Sequence, residues 1–338
     1  MASIPTHGTS RPYVLPSVRT LSPPDRTKWQ DLGEVETIAN TNRPPISRVI
    51  IQLQPYGHRI FLGYGEWDYG LDYCDLIAWN TEAQAFEQMA VDVATDAFWT
   101  LRVVNNELWA LVTDPSVGTD PDAAVFDGQI TSLVNSSFLT PWHLFEILEW
   151  HGAIFLAGAN RAGDESTGCV WSSADGGKSW GIALETSTSI RIHGLFPLDD
   201  LLYAVGLQGE TWTTKDGSSW ITAPMNLLPR GSICVRPIVF ADQAFYLNGW
   251  SPYGPQDLCA FDGEVARLLS DVGGVFDVYA EGSTSMVLTA DQRILQSVDL
   301  VAWDVTAADV PPTGRSLCTL NSSLYVGTTD SHLWRMSL

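Results

Sequence analysis

From about residue 45 to the C-terminus, the chain repeats one phrase seven times: a short apolar run ending in Gly or a small polar residue. The copies are Ile60-Phe61-Leu62-Gly63, Leu108-Trp109-Ala110-Leu111, Ile154-Phe155-Leu156-Ala157-Gly158, Leu202-Tyr203-Ala204-Val205-Gly206, Phe245-Tyr246-Leu247-Asn248-Gly249, Met286-Val287-Leu288-Thr289 and Leu324-Tyr325-Val326-Gly327. They recur every 38 to 48 residues, the period of a repeat architecture. The repeat limits the fold more tightly than any single motif limits the function.

Each copy extends in both directions. Upstream lies a strand that carries a distinctive residue near its start: Arg48, Trp99, His143, His193, Arg236, Asp277 and Arg315 in chain order. Downstream come a third strand, a tight turn and a fourth strand. Four strands per unit around an axis is the β-propeller pattern, so the expected fold is all-β, a seven-bladed propeller of four-stranded blades. The third-to-fourth-strand turn is sharpest in Ser173-Ala174-Asp175-Gly176-Gly177-Lys178-Ser179-Trp180. There an Asp carboxylate accepts backbone N–H bonds, glycines allow positive φ, and a Trp closes the next strand onto the apolar layer. Thr214-Lys215-Asp216-Gly217-Ser218-Ser219-Trp220 is one residue shorter, and Ser297-Val298-Asp299-Leu300-Val301-Ala302-Trp303 is degenerate. Asp127-Gly128 and Asp262-Gly263 are tight turns at the same place in two further blades. Asp75-Leu76-Ile77-Ala78-Trp79 imitates the degenerate motif but follows a second strand. It therefore reads as a third strand, with Thr81-Glu82-Ala83-Gln84 as its turn.

The last copy stops after a third strand, Leu333-Trp334-Arg335-Met336. Lys28-Trp29-Gln30-Asp31-Leu32 resembles the strands that follow the Asp turns, so residues 27–33 are expected to supply the missing outer strand and close the ring. Residues 27–338 then form the propeller. Residues 1–26, with five prolines and little apolar periodicity, form an extended arm outside it that is expected to dock on a partner.

Charge and cysteine usage narrow the function classes. The 39 acidic against 18 basic residues give a net charge of −21, a surface that repels nucleic acid and anionic membranes. No stretch approaches the roughly 18–20 apolar residues of a membrane span, and the N-terminus does not read as a signal peptide. Cys74, Cys169, Cys234, Cys259 and Cys318 are scattered singly, which reads as reduced thiols packed as small core residues after synthesis in a reducing compartment. No metal or cofactor motif emerges, and neither do G-x-S-x-G, H-E-x-x-H or a P-loop. A pair of glycosidase carboxylates brought together by the ring would leave no spacing to read.

The connections between second and third strands are the long ones, at 65–73, 114–122, 160–165 and 249–254, so binding is expected on that face. Trp67, Tyr69, Trp250 and Tyr253, mixed with carboxylates, suit a sugar ring, and equally a protein interface. The distinctive residues of the first strands would ring a central channel. Their basic members would meet an anion or one another, and His would add pH dependence.

The Asp turns and the repeat resemble the sialidase-like propeller superfamily, whose BNR or Asp-box motif is matched by Ser173, Asp175, Gly177 and Trp180, and in part by Asp216, Trp220, Asp299 and Trp303. The resemblance implies that these turns are structural and lie opposite the working face. Family sialidases add an Arg-Ile-Pro signature, three arginines and a Tyr/Glu pair. No Arg-Ile-Pro occurs here and no Tyr/Glu pair is assigned, which counts against sialidase activity. The segments Ser3-Ile4-Pro5-Thr6-His7-Gly8-Thr9-Ser10, Leu15-Pro16-Ser17-Val18-Arg19-Thr20-Leu21 and Lys28 to Thr37, with His143-Leu144-Phe145-Glu146-Ile147, are similar to minor tail proteins of phages that infect actinobacteria. That resemblance implies a non-enzymatic virion component made in the host cytoplasm, a homo-oligomer or present in several copies within the virion. Its arm would dock to other virion proteins, and its propeller would be displayed to the host surface, with a glycan as one possible ligand. The alternatives are a sialidase-like glycan-binding or glycan-cleaving enzyme and a cellular protein-docking propeller.

Overall fold

The computed structural model describes residues 18–19, 28–39, 49–65, 73–113, 122–134, 141–162, 165–188, 190–225, 227–228, 233–249 and 254–338. Among these residues the structure is all-β, with 3-10 turns at Val35–Thr37 and Ser270–Val272. The first two strands are β1 (Val18–Arg19) and β2 (Trp29–Glu34). The repeat then unfolds as antiparallel meanders. The first is β3 (Val49–Tyr56), β4 (Arg59–Gly65), β5 (Cys74–Asn80) and β6 (Ala85–Val93); the next is β7 (Ala97–Val104), β8 (Glu107–Thr113), β9 (Ala123–Phe126) and β10 (Thr131–Val134). There follow β11 (Pro141–Trp150), β12 (Ala153–Ala162), β13 (Glu165–Ser173) and β14 (Gly181–Thr188), then β15 (Ile192–Leu198), β16 (Leu201–Gly206), β17 (Thr211–Thr214) and β18 (Ile221–Thr222). Next come β19 (Cys234–Phe240), β20 (Gln243–Asn248), β21 (Asp257–Phe261) and β22 (Ala266–Leu268), and β23 (Val275–Glu281), β24 (Thr284–Thr289), β25 (Ile294–Ser297) and β26 (Trp303–Ala307). The last run is β27 (Gly314–Leu320), β28 (Ser323–Thr328) and β29 (His332–Ser337).

Single pairings, Gly65 with Ala97 and Thr113 with His143, join the first three meanders into one sheet. Gly65 cannot be replaced cheaply there. Its φ is +136°, and a Cβ would sit 2.5 Å from Ala97 Cα and from the carbonyl oxygen of Asp96. The fourth strand of the last sheet is β2, antiparallel to β29 with Trp29 opposite Met336. Val18 and Arg19 of the proline-rich segment are not detached from the sheets. They add a fifth, parallel strand to β26, opposite Trp303 and Asp304, while the other arm residues up to Thr27 lie outside the described residues.

The burial of each strand follows its place in the meander. The second strands are buried on both faces, which is why they read as unbroken apolar runs such as Leu108 to Val112. Outer strands alternate: Trp303, Val305 and Ala307 of β26 are buried, with Asp304 and Thr306 half-buried between them. First and second strands meet at tight turns with left-handed residues, such as Asn105-Asn106 and Asn321-Ser322. The core is a series of layers, each between two successive meanders. Trp109 and Leu111 meet Leu144, Ile154 and Trp171; Phe196 and Tyr203 meet Tyr246 and Phe261. One layer unites Cys318, Tyr325 and Leu333 of the last sheet with Ile50, Phe61 and Ile77 of the first. All five cysteines are buried and unpaired in disulfides.

The Asp turns share one geometry. Asp175 Oδ1 accepts the N–H groups of Lys178 (3.1 Å) and Ser179 (2.9 Å), and Oδ2 accepts the Ser179 hydroxyl at 2.6 Å. Asp216 and the degenerate Asp299 accept the corresponding backbone pairs at 2.7–2.9 Å, and Asp127 and Asp262 do the same in the Asp-Gly turns. The Trp positions diverge, since Trp303 is fully buried whereas Trp180 and Trp220 are half-buried. The hydroxyl and amide donors around Asp175 lower its pKa to about 2. Its native-state contribution is therefore complete above the usual Asp pKa and is lost as pH falls toward 2. Asp175→Asn is expected to flatten the fall in melting temperature between about pH 4 and pH 2. Parallel melting curves for variant and wild type across that window would refute this role.

The segment 160–165 is expected from the sequence to be a long loop, but its described residues, 160–162 and 165, lie in paired strands. β12 runs through Ala162 and β13 starts at Glu165, paired residue for residue from Ile154–Ser173 to Ala162–Glu165. Continued strand pairing satisfies the backbone groups that a loop would leave to solvent.

Candidate functional site

Every first strand contains a β-bulge close to its start. In β3, Ile50 pairs with Tyr64 and Gln52 with Gly63, which leaves Ile51 without a partner in the ladder. The same count leaves over Trp99, Phe145, His193, Phe276 and Arg315 in β7, β11, β15, β23 and β27, and in β19 the break is one residue wider and begins with Arg236. A bulge re-aims its extra side chain away from both faces of the sheet. Here all of these side chains line one cavity of about 60 Å³. Gly249 and Gln256, which flank the long 250–253 connection, also line it, so it lies toward the long-loop side.

In several meanders the residue after the bulge fastens the meander to its neighbour. Gln52 exchanges two hydrogen bonds with the Leu101 backbone, both 2.9 Å, and the Thr100 hydroxyl donates to the Phe145 carbonyl at 2.7 Å. Asp277 accepts the Leu317 N–H at 2.8 Å, the same place in the repeat that Leu101 occupies for Gln52. Ser316 donates to the Ile50 carbonyl at 2.7 Å and so ties the last sheet to the first. At Gly194 the clasp is replaced by close approach, since a Cβ would lie 2.7 Å from Cys234 Sγ.

Two buried ion pairs lie just beyond the bulges. Arg102 grips Glu146 through two bonds of 2.7 Å, and Arg236 pairs with Asp277 while also donating to the Ile51 carbonyl. Burial raises the pKa of both carboxyls, while the guanidinium groups and the N–H donors of Ile147, Val278 and Leu317 hold them down. Beyond this charged waist is a second cavity of about 280 Å³, lined by Gln52 to Gln54, Arg102 and Asp277 to Ala280.

The first cavity is apolar with a cationic element. Arg315 lies over the Phe276 ring, 4.9 Å from its centroid, and donates to the Phe276 carbonyl at 3.2 Å. His193 stacks on Phe145 with centroids 3.9 Å apart. Its pKa is pushed well below 6.5, by burial first and then by Arg191 and His143, so the ring is neutral at neutral pH. His193 is 6% exposed, and its Nε2 has no hydrogen-bond partner in the protein.

The expected channel ring is thus altered in register. Trp99, His193, Arg236 and Arg315 line the cavity. His143 does not: it lies two residues before the bulge, buried against the Phe145 ring and paired with Thr113. Asp277 lies one residue past the bulge and faces the second cavity. Phe145 and Phe276 take their places, residues that a search for polar side chains passes over. Ile51 occupies the corresponding position in the first sheet, and Arg48 lies outside the described residues, as do Trp67, Tyr69, Trp250 and Tyr253. Among the described residues no group of three His, Cys, Asp or Glu side chains is placed to hold a metal ion.

No family model matches this chain, and neither does any curated protein sequence. Solved structures do. YCF48 bound to D1 peptide superposes with a TM-score of 0.59 at 14% identity, covering 96% of this chain and 100% of its own. Virginiamycin B lyase from Staphylococcus aureus gives 0.58 at 9% identity, covering 92% and 99%. The GH74 enzyme of Niastella koreensis gives 0.54 at 13% identity, covering 86% of this chain and 43% of its own. All three are β-propeller proteins. The fold is a β-propeller. At such identities the likeness extends to the fold alone, and the propeller's chemistry has to be read from its own residues.

Proposed function

We propose that this propeller is a closed ring of seven blades and works as a non-catalytic binding and structural module, a minor tail component of a phage virion. The observation that carries the non-catalytic part is the use of the buried acids. Asp277 is occupied by Arg236 and two backbone N–H groups, and Glu146 by Arg102 and the Ile147 N–H. Such carboxylates fasten blades together and are poorly placed to exchange protons with a substrate. Closure of the ring is supported by β2 lying along β29 and by the Ser316–Ile50 hydrogen bond. YCF48, solved with a D1 peptide, shows that a propeller of this shape takes a polypeptide ligand, in keeping with a docking role here. The tail assignment rests on the resemblance of the N-terminal segments and the His143–Ile147 strand to tail proteins. In this reading the arm attaches the propeller to neighbouring virion proteins, and the long-loop face, with Trp67, Tyr69, Trp250 and Tyr253, meets the host surface or its glycans.

The test is deletion of residues 1–17, which spares β1 and β2. The truncated protein is expected to fold like the full chain and to be absent from assembled particles. Normal incorporation would refute the docking role. In parallel, the full chain is expected to release no sugar from sialosides or actinobacterial cell-wall polysaccharides. Turnover abolished by Arg236→Gln or Arg315→Gln would establish the sialidase-like alternative instead.

A further inference from the structure

We propose that the second cavity is the seat of the chain's own N-terminal segment, residues 1–17, folded back beneath the sheet that β1 completes. Tyr13, Val14 and Leu15 cross Val298, Arg11 meets Glu281 at the cavity mouth, and the residues before Arg11 enter the cavity. The inference goes beyond the tail reading and does not depend on it. Residues 1–17 lie outside the described residues, but the point from which they leave is fixed. β1 is parallel to β26, with Val18 opposite Trp303, the residue that follows the Asp299 turn. The chain before Val18 therefore departs on the Asp-turn face and not on the long-loop face. The second cavity lies toward that same face, because its lining residues Gln52 to Gln54 and Asp277 to Ala280 follow the bulges in strands that run on to the hairpin turns.

One sheet joins the two places. Its order is β1-β26-β25-β24-β23, and Asp277 to Ala280 of β23 line the cavity. Its strand spacings from β1 to β23 amount to about 19 Å, which about six extended residues cross. Arg11 stands just far enough ahead of Val18 to arrive at the inner edge. Along this path Val298, in the Asp turn, is 68% exposed, and Glu281, at the inner hairpin turn, is exposed. Charge favours the same occupant. Residues 1–24 contain Arg11 and Arg19 but none of the chain's 39 acidic residues, whereas Asp199, Asp200, Asp242 and Glu281 are exposed at the hairpin turns on the cavity side. A buried water needs roughly 10–15 Å³ of probe-occupied space, so the cavity of about 280 Å³, with Leu53, Ile238 and Val278 in its walls, admits several side chains. Exposed ion pairs contribute little and ordering a free segment is costly, so the docked form outweighs the free one only a few-fold. That margin is too small to move urea unfolding, and a partner can draw the segment out.

The test is a distance measurement by electron–electron resonance between spin labels on Thr9→Cys and Ser283→Cys in the full chain, the five native cysteines being buried. One short, narrow distance is expected in most molecules, and it should persist when the labelled protein is mixed with an excess of unlabelled chain. Arg11→Glu, which alters no residue of the sheets, is expected to lower the ratio of docked to free segment about two- to fivefold. Adding Glu281→Lys to Arg11→Glu is expected to restore that ratio. A broad distribution without the short distance, in the chain carrying only the labels, would overturn the proposal. So would loss of the short distance on mixing, which makes a second copy the occupant. An unchanged ratio in Arg11→Glu, or no restoration by the charge exchange, would overturn it as well. Each of these failures leaves particle incorporation, the test of the tail reading, to be judged separately.

Discussion

Asp277→Ala is expected to lower the stability of the propeller by about 3–5 kcal/mol, read as a shift in the first transition of urea unfolding. The residue is 1% exposed, and its carboxylate answers three donors: the Arg236 guanidinium and the N–H groups of Val278 and Leu317. Removing it strands a buried cation and two backbone amides at once, so the loss exceeds that of an ordinary hydrogen bond. Ser316→Ala breaks the corresponding clasp between neutral partners and should cost only about 1 kcal/mol. Adding Arg236→Met to Asp277→Ala should restore part of the loss, because the stranded charge disappears with it. A shift below about 1 kcal/mol for Asp277→Ala would mean that the ion pair does not hold these blades together.

Removal of residues 1–35 should have a comparable effect by a different route. β2 bridges two core layers, with Trp29 packed beside Met336 and Leu32 beside Leu333, and the buried Val35 donates its N–H to Ser331 at 2.9 Å. Its apolar contacts are worth about 3–6 kcal/mol in aggregate. The side chains reinforce the ladder, His332 contacting Asp31 at 3.0 Å and Arg335 contacting Gln30 at 2.6 Å. Without β2, the edge of β29 is exposed and offers unpaired backbone groups to another chain. The truncated protein should therefore unfold at lower urea and self-associate as its concentration rises, whereas removal of residues 1–17 should change neither property. A truncation to residue 36 that stays monomeric and unshifted would contradict the bridging role.

Much of the scaffold was legible because it depends on residues with strong local preferences. Thr81 to Gln84 form the turn that the strand count required, and Asp75 to Trp79 lie in β5 despite their resemblance to an Asp turn. The degenerate Ser297–Asp299 turn has the same hydrogen bonds as the full motif, because only the acceptor and the backbone donors are needed. The cavity was less legible. A bulge has no composition of its own: Ile51, Trp99, Phe145, His193, Arg236, Phe276 and Arg315 share a place in the ladder and no chemical property. Counting to the nearest polar residue therefore selects His143 over Phe145 and Asp277 over Phe276. The pairing at 160–162 and 165 is hidden for a related reason, since Asn160 and Arg161 have a loop's composition and yet pair as strand with Thr167 and Ser166.

The bulges also bear on how such a chain can change. A residue inside a strand ladder is constrained twice, by its cross-strand partner and by the sheet packed on its face. The bulged residue is released from the first of these constraints, and its side chain meets the cavity and the bulged residues of neighbouring meanders. Substitution at these positions can therefore alter what the cavity accepts while the clasps one residue further on keep the blades in register. Except at Arg236, which lines the cavity and also pairs with Asp277, one sequence offset separates the positions that hold the molecule together from those that line the cavity, so the lining can drift through evolution without the fold being renegotiated each time.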